Sequence, residues 1–249
     1  MYQTDSGASS HNAEYPWDQF DSSNYLQRNY IVMRDDDAEI LELTQSWFAT
    51  ALTEAEADGL DVGCGPNLYP SLAMLPVCRT ITVMDYSAGN VAWLQSHHGY
   101  CDEIWRPYWE LVSPSASRGE FDEARSWMAE RGRVVHGSVF DLPTAQWDLG
   151  TMFFVAESIT DDAAEFDRAV ECFLRALRPG APFAAAFMEE SQGYDVSGIH
   201  FPAVAVGADA IEAALVHRTS ELKVHRIEIR PEPLHPGYTG MLLALGRAA

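Results

Sequence analysis

The sequence predicts an α/β domain built on a mostly parallel sheet. Short apolar runs alternate along the chain with amphipathic segments of helical period, and a turn with two glycines follows the first of these runs. Parallel neighbours in a sheet need crossover connections, and the intervening helical segments supply them. At 249 residues the chain is long enough to bury the core of one such domain.

Seven apolar runs are candidate strands, at Leu60–Val62, Thr80–Met84, Arg133–Gly137, Leu149–Val155, Pro182–Phe187, Leu222–Ile229 and Met241–Leu245. Four amphipathic segments are candidate helices, at Asn90–Gln95, Glu120–Arg131, Ala163–Leu177 and Ala208–His217. Only a proline-rich loop separates the last two strands, which predicts an antiparallel hairpin at the C-terminal end of the sheet.

The predicted domain organisation is simple. Residues 1–14 are rich in Ser, Asn and small residues, which predicts a flexible tail, and residues 15–249 form the single domain. Two aromatic-rich stretches, about 15–48 and 97–131, are additional to the strands and helices that a minimal α/β sheet needs. Additions at strand ends often carry function, so these stretches are candidate lids, although aromatic packing against the sheet explains them equally well.

Charge and composition exclude several classes of partner. The chain has 37 Asp and Glu against 16 Lys and Arg, a formal net charge of -21. Such a surface repels phosphate backbones and anionic lipids, so we expect neither nucleic-acid nor membrane binding. It would attract cationic partners, but solubility is the simpler explanation. The sequence has no apolar stretch of the ~20 residues that span a bilayer and no secretory signal at its start.

Four widely separated cysteines, without a CxxC pair, predict reduced thiols rather than disulfides or a zinc site. The histidines also lack metal-ligand spacing, so we expect no metal. The predicted compartment is the cytoplasm. Nothing in the sequence indicates the oligomeric state.

The most informative motif is a glycine turn followed by an acid. Gly63 and Gly65 follow the first strand, and the lack of side chains lets backbone approach a ligand closely. Asp85 ends the second strand, where an acid can accept hydrogen bonds from a ribose. A third glycine and the Gly-Lys-Ser/Thr of a phosphate loop are absent. These features predict a nucleoside site, and a cationic sulfonium without phosphate fits it best.

At this point the sequence resembles the small-molecule methyltransferases that include the phenylethanolamine, nicotinamide and indolethylamine N-methyltransferases. The resemblance spans almost the whole chain. Its anchors are Phe20–Tyr30, Asp61–Pro66, Asp85–Ser87 with Asn90, Trp105–Tyr108, Leu177–Gly180 and Glu189–Ser191. It implies a Rossmann-like class I methyltransferase fold: a seven-stranded, mostly parallel sheet with an antiparallel C-terminal hairpin and an N-terminal helical lid.

The resemblance also implies S-adenosylmethionine as cofactor and S-adenosylhomocysteine as product. The implied contacts are Tyr25 and Tyr30 closing over the cofactor, Gly63, Gly65, Asn67 and Tyr69 at its methionine and ribose, Asp85, Tyr86 and Asn90 at the ribose hydroxyls, and Asp141 and Leu142 at the adenine. Phe153 lies where the family has a small residue beside the cofactor.

The candidate catalytic residues are Glu157 and Glu190, which follow the fourth and fifth predicted strands. An alkylamine with a pKa of ~10 is almost fully protonated at neutral pH, so an enzyme that methylates it must attract the cation and then accept its proton. Carboxylates do both. Acids at these two positions face the substrate amine in the phenylethanolamine enzyme's pattern, which favours an alkylamine acceptor.

Three functions remain open on the sequence alone. The first is methylation of a small, aromatic or alkyl amine at nitrogen. The second is methylation at carbon or oxygen of an electron-rich ring such as an indole, with Glu157 or Glu190 accepting the ring N–H. The third is cofactor binding without catalysis, because a fold does not guarantee an activity.

Overall fold

The computed structural model describes residues 11–52, 56–96, 102–113, 121–230, 232–234 and 237–249. Within them a seven-stranded sheet runs in the order β3-β2-β1-β4-β5-β9-β8, and β6 with β7 forms a separate two-stranded ribbon. The first five strands of that order pair in parallel, while β9 pairs antiparallel with both β5 and β8. The predicted fold class is confirmed.

The strands are β1 Ala57–Val62, β2 Cys78–Asp85, β3 Gly132–His136, β4 Leu149–Phe153, β5 Pro182–Glu189, β6 Tyr194–Val196, β7 Ile199–Phe201, β8 Thr219–Ile227 and β9 Gly240–Ala248. The helices are α1 Ser22–Asn29, α2 Asp35–Ala51, α3 Tyr69–Met74, α4 Ala88–Ser96, α5 Arg106–Val112, α6 Phe121–Arg131, α7 Ala163–Ala176 and α8 Ala208–Leu215.

Every strand and helix predicted from the sequence is present, with ends that differ by a few residues. The fourth strand ends at Phe153, two residues earlier than expected, because Phe154 takes a positive φ of 58° that breaks the extended backbone. Of the predicted helix Glu120–Arg131, Glu120 lies outside the described residues. The periodicity missed α3 and α5 because both are short, and it missed the β6–β7 ribbon.

Helices cover both faces of the sheet, and strand β5 shows how. Its Ala184, Ala186 and Met188 pack in a core cluster with α2, α3 and α5, whereas the alternate Phe183, Ala185 and Phe187 pack with α7 and α8. Successive side chains of a strand point to opposite faces, so a strand covered on both faces is apolar throughout. The site must therefore lie at an edge of the sheet, where the strands end.

The N-terminal part of the chain contains α1 and α2, as expected for the helical additions. Asn12–Glu14 form a single turn of 3-10 helix, and the backbone N–H of Asn12 donates to Glu165 Oε2 of α7 at 2.7 Å. Residues 1–10, and residues 97–101 and 114–120 of the second candidate lid, lie outside the described residues. The flexible tail and the lid roles stay predictions.

No helix in the described ranges is both long and apolar enough to cross a membrane. Cys64, Cys78 and Cys172 are free thiols, and Cys101 is outside the described residues.

Candidate functional site

The glycine turn after β1 has a backbone that other residues would not adopt easily. Gly63 has φ +64° and Gly65 has φ +50°, both in the left-handed region. A Cβ at position 63 would lie 2.7 Å from Val155 Cγ2, which is closer than real carbon contacts allow. The turn therefore lies tightly against the residues that follow β4, and both glycines line an open space.

Asp85 connects this turn to the end of β2. Its carboxylate accepts hydrogen bonds from the backbone N–H groups of Gly65 at 2.8 Å and Ser87 at 2.8 Å, and from Asn90 Nδ2 at 3.1 Å. Burial raises the pKa of Asp85, while these donors oppose the rise. Asp85 is therefore a buried acid whose carboxylate is held in one orientation beside the glycine turn.

The glycine run also contains an acid with a structural role. Asp61 lies on β1 and accepts hydrogen bonds from the hydroxyls of Ser71 at 2.6 Å and Thr151 at 2.9 Å. Burial raises its pKa to about 7. Asp61 joins α3 and β4 to β1 beneath the turn.

A first cavity opens above the glycine turn, with about 800 Å³ of empty space that includes its solvent-filled mouth. Nine of the residues predicted for the cofactor line it: Tyr25, Tyr30, Gly63, Gly65, Asn67, Asp85, Tyr86, Asn90 and Phe153. Asp85 is the only charged residue in the described lining, so this wall has no basic group of the kind that phosphate sites use. The β1, β2 and β4 ends thus meet the N-terminal segment around one space.

Three residues predicted for the cofactor lie outside this lining, and their contacts with the cofactor stay predictions. Tyr69 is fully buried, and its hydroxyl donates to Asp37 Oδ1 at 3.2 Å. Asp141 is exposed and Leu142 is half-buried, because a 3-10 turn at Val139–Asp141 directs Ser138 and Val139 inward instead.

Sequence reasoning missed several lining residues: Asn12, Trp17, Phe20, Ser87, Gly137, Ser138, Val139, Phe154, Val155, Ser158, Ile159 and Tyr194. The aromatic-rich N-terminal stretch was a signal for Trp17 and Phe20. No pattern identified Tyr194, which reaches the site from the β6–β7 ribbon.

A second cavity, with about 580 Å³ of empty space that includes its solvent-filled mouth, adjoins the first. The two share Tyr25, Tyr30, Phe154 and Tyr194 in their linings. The Tyr25 ring lies 6.0 Å from that of Tyr30 and 6.3 Å from that of Tyr194, both edge to face. The remaining lining comes from α1, Asp37 of α2, Met188 of β5, the β6 strand and the segment that leads into β9.

Glu157 is fully buried and, like Glu190, is part of neither described cavity lining. Its Oε1 accepts the backbone N–H of Met188 at 2.9 Å, and its Oε2 has no hydrogen-bond partner among the described residues. Burial raises its pKa to about 7, and its charge interacts with the hydroxyls of Tyr25 and Tyr194. Such a carboxyl can hold or release a proton near neutral pH.

Glu190 is exposed, and its expected place at the acceptor amine stays a prediction. Its backbone has φ +58°, and its N–H donates to the carbonyl of Val206. This turn exposes the side chain beside Gly207, where a Cβ in place of the glycine hydrogen would lie 3.0 Å from Glu190 Oε1. Its neighbour Glu189 is paired with Arg226 at 2.8 Å, which holds the pKa of Glu189 low.

Comparison with known proteins adds the evolutionary context. The sequence model of the NNMT/PNMT/TEMT family matches residues 9–239. Human phenylethanolamine N-methyltransferase is 26% identical to this chain over 245 residues, with 89% of this chain and 85% of the human protein covered.

Two solved structures share the fold. The N-methyltransferase NodS from Bradyrhizobium japonicum, in complex with S-adenosylhomocysteine, has a TM-score of 0.57 at 14% identity and covers 93% of this chain and 94% of its own. The 1,6-didemethyltoxoflavin N1-methyltransferase from Burkholderia thailandensis has a TM-score of 0.52 at 17% identity, with 86% of this chain and 80% of its own covered. At these identities the likeness concerns the fold alone.

Proposed function

Because the chain belongs to the NNMT/PNMT/TEMT family, a family of S-adenosylmethionine-dependent methyltransferases, we propose that it methylates a small amine at nitrogen. In this proposal the cofactor occupies the first cavity and the amine occupies the second. The observation that carries it is the pair of cavities that meet at Tyr25, Tyr30, Phe154 and Tyr194. A methyl group at that junction would be within reach of an acceptor on the other side.

The first cavity suits this cofactor by its chemistry. S-adenosylmethionine has no phosphate, and the described lining of the cavity has no Lys or Arg. Asp85 is the acid that can accept hydrogen bonds from two ribose hydroxyls, with Asn90 and Tyr86 beside it. Gly63 and Gly65 line this cavity without side chains, so the methionine portion can approach their backbone closely.

The other predicted cofactor residues lie in the lining of the same cavity or near it in the sequence. We propose that Asn67 and Phe153 contact the cofactor from the lining, and that Tyr25 and Tyr30 close over it. Tyr69 would act through Asn67, whose side-chain oxygen accepts the Tyr69 N–H at 3.2 Å. A contact of Asp141 or Leu142 with the adenine requires the bound ring to extend past Val139.

The acceptor nitrogen must be unprotonated when it reacts. Bound cofactor would supply an electrophilic methyl group on a positively charged sulfur. The nitrogen lone pair forms the new N–C bond, the S–C bond breaks, and the nitrogen carries the positive charge of the product. Glu157 is the group that we assign to accept the proton that the protonated amine first loses, because its free Oε2 and its raised pKa suit proton transfer near neutral pH.

The protein also contributes by holding its two ligands in line. Phe154, with its positive φ, projects a ring between the two cavities, and the shared tyrosines restrict the acceptor further. A role for Glu190 stays a prediction, because its side chain would have to leave the surface beside Gly207 to reach the amine.

The test is incubation of the protein with S-adenosylmethionine and a panel of phenylethylamines, tryptamines, pyridines and indoles, followed by mass spectrometry. An N-methylated amine supports the proposal. A methyl group on a ring carbon or on oxygen would replace it with the second function, in which Glu157 accepts a ring N–H. Binding of S-adenosylhomocysteine without any product from the panel would favour cofactor binding without catalysis.

A further inference from the structure

The second cavity has the composition of a cation site. Its aromatic residues are Tyr25, Tyr30, Phe154, Tyr194 and Tyr238. The faces of aromatic rings attract cations, and several rings around one space strengthen the effect. With Met188 and Met241, these rings make most of the wall apolar, so the few charged groups decide what charge the cavity accepts.

Asp37 is the one buried charged residue in the described lining of this cavity. It lies in the first turn of α2, with 2% of its surface exposed. The other charged lining residues, Arg28 and Asp195, are exposed, and Asp195 is 3.0 Å from His200. Asp37 is therefore the group whose charge a ligand in the cavity would meet without intervening water.

The surroundings of Asp37 leave its negative charge poorly compensated. The charge of Arg34 lowers the pKa of Asp37, but the Arg34 guanidinium makes its two hydrogen bonds with Asp36, at 2.9 and 2.7 Å. Asp37 receives one hydrogen bond from the Tyr69 hydroxyl at 3.2 Å. Burial and the charge of Asp36 raise the pKa of Asp37 to about 7. Five tyrosines interact with its charge: Tyr25, Tyr30, Tyr69, Tyr108 and Tyr238.

A second, independent feature points to a bound ligand. The Oε2 atom of Glu157 is buried without a hydrogen-bond partner among the described residues, and the charge of Glu157 interacts with Tyr25 and Tyr194 of this lining, although Glu157 itself is not part of the lining. Buried polar atoms normally have a partner, so an orphan beside a cavity indicates a group that the ligand supplies. Asp37 thus lines the aromatic cavity directly, and Glu157 lies behind Tyr25 and Tyr194 of its wall.

We infer that Asp37 is a specificity-determining residue that selects acceptors carrying a protonated amine, by pairing with the ammonium inside the second cavity. The inference rests on the proposed function, since it concerns the acceptor of that reaction. Asp37 thereby pairs with the charge of the amine, while Glu157 remains the proton acceptor. The amine arrives paired with Asp37 as an ammonium ion and gives up its proton to Glu157 before methyl transfer.

The test compares charged probes with neutral ones of the same shape. With the protein saturated with S-adenosylhomocysteine, calorimetry measures the affinities for 2-phenylethylamine and tryptamine and for their alcohol analogues, 2-phenylethanol and tryptophol. The wild-type protein should prefer at least one amine over its alcohol. A buried hydrogen bond to a charged group is worth about ten- to a hundredfold in affinity, and Asp37→Asn should remove about that much of the preference.

Asp35→Asn is the matched control, because Asp35 lies in the same helical turn and is exposed. It should keep the preference, and Asp37→Glu should restore part of it. Unchanged affinity for S-adenosylhomocysteine shows that Asp37→Asn is folded, and Asp37→Ser replaces it if it is not.

Three outcomes overturn the inference. The first is that Asp37→Asn keeps the preference for the amine, and the second is that Glu190→Gln loses this preference while Asp37→Asn does not. The third is that the wild-type protein binds neither amine, or binds each amine no more tightly than its alcohol analogue. Binding of S-adenosylhomocysteine separates these failures from failure of the proposed function. If the product binds, the cofactor part of the proposal stands even where Asp37 does not select the amine, whereas its absence contradicts the proposed function itself.

Discussion

Replacing Glu157 by glutamine should make the protein more stable at alkaline pH and less active. The carboxyl is fully buried, and its pKa is raised from 4.5 to about 7. The folded state therefore holds the proton more tightly than the unfolded state. The stabilisation that this provides is complete below the unfolded pKa and is lost as the pH rises through the folded value. Glutamine does not titrate, so the variant avoids this loss.

The magnitude follows from the two pKa values. As the pH rises from about 5.5 to about 8.5, titration of Glu157 should lower the free energy of unfolding of the wild-type protein by about 2 kcal/mol. The variant should not show this decrease. Both conditions lie above the isoelectric point of about 4.5, where the protein would precipitate most easily. Asp37 and Asp61 also have raised pKa values, but they are present in both proteins and their contributions cancel in the difference.

Urea unfolding at several pH values measures this difference directly. Glu123→Gln, on the exposed side of α6, is the matched control and should show no pH-dependent gain. In the same Glu157→Gln preparation, kcat should fall by about a hundredfold, the low end for loss of a general base, while the affinity for S-adenosylhomocysteine is kept. A stability difference that does not change with pH would mean that burial does not raise the pKa of this carboxyl. A normal kcat would remove Glu157 from the assigned role.

Two further substitutions test the cofactor cavity. Gly63→Ala should lower the free energy of unfolding by about 1 to 3 kcal/mol more than Gly198→Ala, because both glycines have a positive φ but only a Cβ at position 63 would clash with Val155. Urea unfolding measures both costs, and equal costs would mean that the turn can move away from Val155. Asp85→Asn should weaken S-adenosylhomocysteine binding about ten- to a hundredfold by calorimetry, with the exposed Asp122→Asn as control, and an unchanged affinity would remove Asp85 from the ribose site.

The sheet and the glycine turn were predictable because their signals are local. Gly63, Gly65 and Asp85 lie at the ends of two apolar runs, and parallel strands bring such ends to one edge. The position of Glu157 just after β4 followed from the same rule. Its complete burial did not, because the covering residues, among them Tyr194, come from distant parts of the chain.

The acceptor side was less predictable because backbone geometry decides it. The positive φ of Glu190 turns its side chain away from the cavities, and no residue type in the sequence signals that a glutamate adopts this conformation. Asp141 is directed outward by a 3-10 turn that periodicity does not detect. Asp37 is part of the run Asp35–Asp37, which is typical of an exposed helix start, because the helix dipole stabilises acids in the first turn. Only the packing of α2 shows that two of these three acids are buried.

The most direct test of the proposed reaction is transfer from S-adenosylmethionine that carries an isotopically labelled methyl group, with product fragmentation to locate the label. For an amine acceptor that the wild-type protein binds, we expect label on the amine nitrogen, and its loss in Glu157→Gln despite retained cofactor binding. Label on a ring carbon or on oxygen, or full transfer by Glu157→Gln, would contradict the proposed reaction.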